Sequence, residues 1–122
     1  MTTDHPSADR RRRLPNRRMS VTDCVWWQNS MRLHVTAGID PATGHVRECF
    51  LRGGAKLGSD RDAELDDTAI LISRLLQHGD HLVDIAAGLG HRVDGERTSL
   101  VGTVVDALLA LERECLPAVA AE

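Results

Sequence analysis

Leu33-His34-Val35-Thr36-Ala37-Gly38-Ile39-Asp40-Pro41-Ala42-Thr43-Gly44-His45-Val46-Arg47-Glu48-Cys49-Phe50-Leu51 is the stretch that decides the fold. Leu33, Val35 and Ala37 alternate with polar neighbours, the period of a half-buried strand. Asp40-Pro41-Ala42-Thr43-Gly44 reads as a turn, because proline presets φ and glycine tolerates a positive φ. From His45 to Leu51 the alternation resumes, with Val46, Glu48 and Phe50 on one face and Arg47, Cys49 and Leu51 on the other. So short a connection pairs the two strands antiparallel. Working back, Cys24 and Trp26 give the same period from Val21 onward as inward-facing residues, and Asn29-Ser30 supplies the turn between. A three-stranded antiparallel meander follows.

Working forward, Gly53-Gly54-Ala55-Lys56-Leu57-Gly58 breaks the sheet and the period changes to that of a helix. Ser59 and Asp60 supply N-cap chemistry, with Asp62 and Glu64 in the first turn, where the helix dipole favours negative charge. Leu65, Ala69, Ile72, Leu75 and Leu76 fall on one face, and Gly79 ends the helix at C′. A short helix capped by Asp80 turns Leu82, Ile85, Ala86 and Leu89 inward and ends at Gly90. Residues 91–98 form a polar loop around Asp94-Gly95. Ser99 opens the last helix, with Val101, Val104, Val105, Leu108 and Leu111 inward, and Pro117 stops it. The fold class is α+β: a three-stranded antiparallel β-meander followed by three helices packed on one face.

The chain has 122 residues, 42% of them hydrophobic. A domain of this size buries roughly two-thirds of its unfolded surface and needs no disulfide or metal staple. It is also short, and poor in convergent acid–base groups, for a demanding reaction on its own. Net charge is −3, divided unevenly. Residues 1–20 carry Arg10, Arg11, Arg12, Arg13, Arg17 and Arg18 against Asp4 and Asp9, and the acidic surplus lies in the rest. The expected organisation is a disordered basic arm over 1–13, one α+β domain over 14–116 and a flexible tail over 117–122. Cys24, Cys49 and Cys115 have no paired spacing and no CxxC, so they read as reduced thiols of a cytoplasmic protein. No apolar run reads as a signal peptide or a membrane span. With only Trp26, Trp27 and Phe50 as Trp, Phe or Tyr, a base-stacking surface for single strands is disfavoured.

Four features carry candidate chemistry. A flexible glycine connection with one lysine, leading into a helix N-terminus, is a ready anion site, so Gly54, Lys56, Gly58 and Ser59 are candidate nucleotide-phosphate ligands. It is not a Walker A loop, since no Lys-Ser/Thr pair follows, and Asp60 and Asp62 oppose phosphate. The alternative is a plain strand-to-helix turn. The arginines of the arm are candidate contacts for nucleic acid or an acidic partner, or else a solvated tail. His78 and His81 are split by Gly79, and His5, His34, His45 and His91 are scattered, so no metal ligand set is expected. Cys24 and Cys49 read as packed apolar groups and Cys115 as an exposed thiol, with no catalytic nucleophile. Leu75 to Leu89 has the outline of a helix-turn-helix, but its second helix lacks side chains to read base edges.

Three segments together resemble the TSCPD domain: Leu14-Pro15-Asn16-Arg17-Arg18 through Thr22, Gly44 to Leu51, and Leu71-Ile72-Ser73-Arg74-Leu75-Leu76-Gln77-His78-Gly79. The likeness covers roughly residues 14–110. Its most specific part is Ser-x-x-Leu-Gln-His-Gly following Glu48-Cys49-Phe50. That domain occurs at the C-terminal end of adenosylcobalamin-dependent (class II) ribonucleotide reductases and as short stand-alone proteins. The resemblance implies an accessory or regulatory module of ribonucleoside-diphosphate reduction and DNA biosynthesis, with a reductase catalytic chain as partner; the nucleotide-phosphate contact is expected from the glycine connection. Adenosylcobalamin is implied only for that partner, and no cofactor for this chain. The Thr-Ser-Cys-Pro-Asp string is absent here, and Glu114-Cys115-Leu116-Pro117 has no neighbouring cysteine, so no catalytic residue is carried over. The alternative function is a DNA-associated or regulatory protein acting through the arginine arm.

Overall fold

The computed structural model describes residues 11, 14, 19–27, 31–53 and 60–120. Three strands, β1 (Met19–Trp27), β2 (Met31–Ile39) and β3 (Val46–Gly53), form an antiparallel sheet in the order β1-β2-β3. Three helices follow: α1 (Asp60–Gln77), α2 (Leu82–Ala87) and α3 (Leu100–Ala120). The expected meander and the three helices are both present. The Asn29-Ser30 turn lies outside the described residues.

β2 is the central strand, and its alternation sets the layers. Leu33, Val35, Ala37 and Ile39 are fully buried, while Arg32, His34 and Thr36 face the opposite side. The β1 face is the reverse of the one expected. Val25 pairs with Leu33 and Val21 with Ala37, so Val21, Val25 and Trp27 pack against the core. Cys24 and Trp26 then fall on the outer face and are exposed. Both faces of β1 mix apolar and polar residues, so alternation alone could not choose between them.

β3 is bent by a bulge. Gly38 pairs with Glu48 and Ile39 with Val46, leaving Arg47 as the extra residue. The bulge moves Val46 to the buried side with Cys49 and Leu51, and away from Phe50, which is exposed. Gly38 lets the Glu48 side chain cross the strand, since a Cβ at residue 38 would collide with it. The Asp40–Gly44 turn forms as expected. Gly44 has φ 78° and donates its N–H to the Asp40 carbonyl at 2.8 Å.

On α1, Leu65, Ala69, Ile72 and Leu76 are buried as expected, but Leu75 is 44% exposed. Ser73 and Gln77 take the remaining buried positions, because the neighbouring surface is a strand edge with polar groups to satisfy. The helix ends in a Schellman arrangement: Gly79 at φ 107°, its N–H to the Leu76 carbonyl and the Asp80 N–H to the Leu75 carbonyl, both 3.1 Å. Asp80 therefore closes α1, and the N-cap of α2 is His81, with Gly88 rather than Gly90 at its C-cap. Ser99 caps α3 by accepting the Gly102 N–H at 3.1 Å. Val104, Val105, Leu108 and Leu111 are buried and Val101 half-buried. Pro117 stands inside α3, where its missing N–H removes one bond near the end of the helix and does not stop it.

Candidate functional site

The outer edge of β3 exposes backbone groups that β2 cannot satisfy, and α1 closes them with side chains. Ser73 Oγ accepts the Cys49 N–H at 2.9 Å, and Gln77 Nε2 donates to the Arg47 carbonyl at 3.1 Å. In return Arg47 Nη1 donates to the Leu76 carbonyl at 3.0 Å. Ser73 and Gln77 belong to the Ser-x-x-Leu-Gln-His-Gly segment, and here their side chains tie α1 to β3. Arg11 joins the same cluster, its Nε donating to Gln77 Oε1 at 2.6 Å. One residue of the expected free arm therefore lies on the domain. Arg10, Arg12, Arg13, Arg17 and Arg18 lie outside the described residues.

The opposite face of the sheet carries no helix among the described elements, and the ladder arranges its side chains in rows. His34 pairs with Cys24 on one side and Arg52 on the other, and Thr36 with Thr22 and Phe50. Thr22 and Thr36 share a hydroxyl hydrogen bond of 2.9 Å. Thr22, His34, Thr36, Phe50, Leu51 and Arg52 line a groove of about 420 Å³. The groove offers two hydroxyls, an imidazole, a guanidinium and an aromatic plate that is 56% exposed. Cys24 Sγ lies 3.1 Å from His34 Nδ1, and Arg32 Nη2 donates to the same sulfur at 3.6 Å. The sequence predicts Cys24 as a packed, small apolar group, and it is exposed instead. Its exposure follows from the β1 register, and only cross-strand pairing could have revealed His34 beside it.

Trp26 is also on this face and 59% exposed. It stands on the far strand from Phe50 and four residues along the ladder, about 16 Å away in the sheet plane. The two rings form no joint stacking platform.

Gly54, Lys56, Gly58 and Ser59 lie outside the described residues. Their flanks are described: β3 ends at Gly53, which pairs with Leu33 one residue beyond the His34–Arg52 row, and α1 begins at Asp60. Arg52 is therefore the next-to-last residue of β3.

Two other clusters are polar but differ in character. His45 Nδ1 lies 3.4 Å from Glu112 Oε2, which also accepts the Val46 N–H at 2.9 Å, and the His81 ring stands 5.5 Å from that of His45. This cluster ties α3 to the start of β3. A larger groove of about 880 Å³ beside β1 is lined by Asp23, Asp94, Glu96 and Asp106 against Arg92 and Arg97. Arg97 is already held by Asp106 through two bonds of 2.8 Å, so that groove is unsuited to an anion. Among the described residues no three His, Cys, Asp or Glu side chains gather as a metal-holding group.

The three thiols differ sharply. Cys49 is buried and pushed up to about 11, mainly by burial, with the Ser73 hydrogen bond lowering it and the Glu48 charge raising it. Cys115 is half-buried and raised by burial and then by Glu114. Cys24 is the exposed one. Among the described residues no helix is long and apolar enough to cross a membrane. No family model matches the chain, and no curated protein or solved structure shows significant similarity to it.

Proposed function

We propose that the chain is a non-catalytic accessory or regulatory module that binds the phosphate of a nucleotide and acts on a cytoplasmic, adenosylcobalamin-dependent ribonucleotide reductase. The observation that carries the ligand is the His34–Arg52 row at the exit of β3. A cation and an imidazole flank the point where the Lys56-containing glycine segment begins, with hydroxyls and the Phe50 ring next to them. Such a set suits a phosphate at one end and a base or sugar along the groove. The partner rests on the resemblance to the TSCPD domain, and three free thiols fit a reducing compartment.

Thermal-shift titration with ATP, dATP and inorganic phosphate tests the ligand. Preferential binding to the native state raises the midpoint, and Arg52→Ala and Lys56→Ala are each expected to remove most of that rise. No shift with any of the three at millimolar concentration removes the site. For the partner, the full chain is mixed with the purified catalytic chain of such a reductase and sedimented. Co-migration is the expected result, and independent boundaries at micromolar concentration exclude it. The alternative reading, nucleic-acid binding through the arginine arm, would appear instead as salt-dependent retention of DNA lost on removal of residues 1–13.

A further inference from the structure

We propose that Cys24 is a built nucleophile, a thiol held between His34 and Arg32 for exchange with small acidic disulfides, and hence a site of reversible S-thiolation. The three groups come from facing strands, through the register pairs Cys24–His34 and Trp26–Arg32. The sheet ladder, and not a loop, therefore fixes their separation. His34 Nδ1 at 3.1 Å is placed to take the thiol proton, and the Arg32 guanidinium at 3.6 Å stands where it stabilises the thiolate. An exposed sulfur with a base and a cation in contact is the environment in which a cysteine reacts. Cys49 is buried, and Cys115 is half-buried, its thiol raised by burial and by the Glu114 charge.

The same face selects the reagent. Arg32 and Arg52 are both exposed there, and His34 lies in line with Arg52, so a disulfide bearing carboxylates is favoured over a neutral one. The opposing charge is Asp23, whose carboxylate accepts the Cys24 N–H at 2.8 Å. In the exchange, His34 Nδ1 accepts the proton from Sγ and the thiolate attacks one sulfur of the disulfide. The new bond joins Cys24 Sγ to that sulfur while the reagent's S–S bond breaks. The departing thiolate carries the electron pair and takes the proton from His34, leaving as a thiol. Cys24 is oxidised and half of the reagent reduced, with no further oxidant. This reactivity does not depend on nucleotide binding. Where both hold, an adduct on Cys24 stands next to His34 and obstructs the groove.

The test uses the full chain with oxidised glutathione, acid quenching, intact mass and peptide mapping. Cys24 is expected to form its mixed disulfide at least about tenfold faster than Cys115, with Cys49 unmodified in the folded protein. His34→Gln and Arg32→Gln are each expected to slow Cys24 severalfold while leaving the Cys115 rate and the melting curve unchanged. With the neutral reagent hydroxyethyl disulfide, Arg32→Gln is expected to matter less. Should one variant fail to fold, the other is read alone. Cys24 reacting no faster than Cys115, or at the wild-type rate in the folded variants, overturns the proposal.

Discussion

Replacing Ser73 with alanine isolates the bond that ties α1 to the edge of the sheet. Ser73 Oγ accepts the Cys49 N–H at 2.9 Å and approaches the Cys49 carbonyl at 3.4 Å. Ser73 is 9% exposed and Cys49 2%, so water is not at hand to replace the lost acceptor. Alanine removes one atom and introduces no clash. The cost is therefore that of a buried amide left without a partner, about 1–3 kcal/mol, while the longer contact to the carbonyl adds little. We expect about 2 kcal/mol in urea unfolding at neutral pH. With a slope of roughly 1–1.5 kcal/mol per molar urea, the midpoint drops by roughly 1.5 M and the slope is unchanged. Arg74→Ala, at the exposed next position, is the control and is expected to stay within about 0.5 kcal/mol. A Ser73→Ala protein that also stays within about 0.5 kcal/mol would refute the reasoning. The β3 edge would then be satisfied by something other than this serine.

Other perturbations test separate parts of the account. Leu76 is 1% exposed at the centre of the core, so Leu76→Ala is expected to cost about 2–5 kcal/mol in the same titration, whereas Leu75→Ala, on the exposed side, costs under about 1 kcal/mol. Asp106 is held below the usual carboxylate range, first by its hydrogen bonds to Arg97. Its contribution is present above the unfolded carboxylate pKa and is lost as pH falls through the lower folded value. Asp106 is 47% exposed, so Asp106→Asn is expected to cost under about 1 kcal/mol at pH 7. The difference from wild type should vanish in acid, and one that persists there would contradict the pairing. Removing residues 1–13 deletes the Arg11–Gln77 bond and is expected to lower stability by about 1 kcal/mol or less. A much larger loss would show that more of the arm packs on the domain.

The layer order was legible because β2 and the Asp40–Gly44 turn carry unambiguous signals. Leu33, Val35 and Ala37 strictly alternate, and a Pro-x-x-Gly connection leaves few alternatives. The faces of the flanking strands were not legible. Val21, Val25 and Trp27 compete with Cys24 and Trp26 for the core, and only pairing with β2 decides. The bulge at Arg47 has no sequence mark beyond Gly38 on the partner strand. The same limit hid the candidate site. Cys24 and His34 are ten residues apart, and nothing local announces that a ladder sets them side by side. Ser73 and Gln77 stood out as motif residues, but their role in closing a strand edge depends on where α1 lands. The glycine segment and most of the arginine arm lie outside the described residues, so those expectations rest on the sequence.

The most direct measurement of the central claim is a titration of dATP and inorganic phosphate into isotope-labelled protein, followed amide by amide. The account predicts shifts at Thr22, His34, Thr36, Phe50, Arg52 and Gly53, extending into residues 54–59, that saturate at micromolar to millimolar ligand. It predicts no response at His45, Val46 or Glu112, across the core from the open face. Shifts confined to that second cluster, or none anywhere at millimolar dATP, would contradict it.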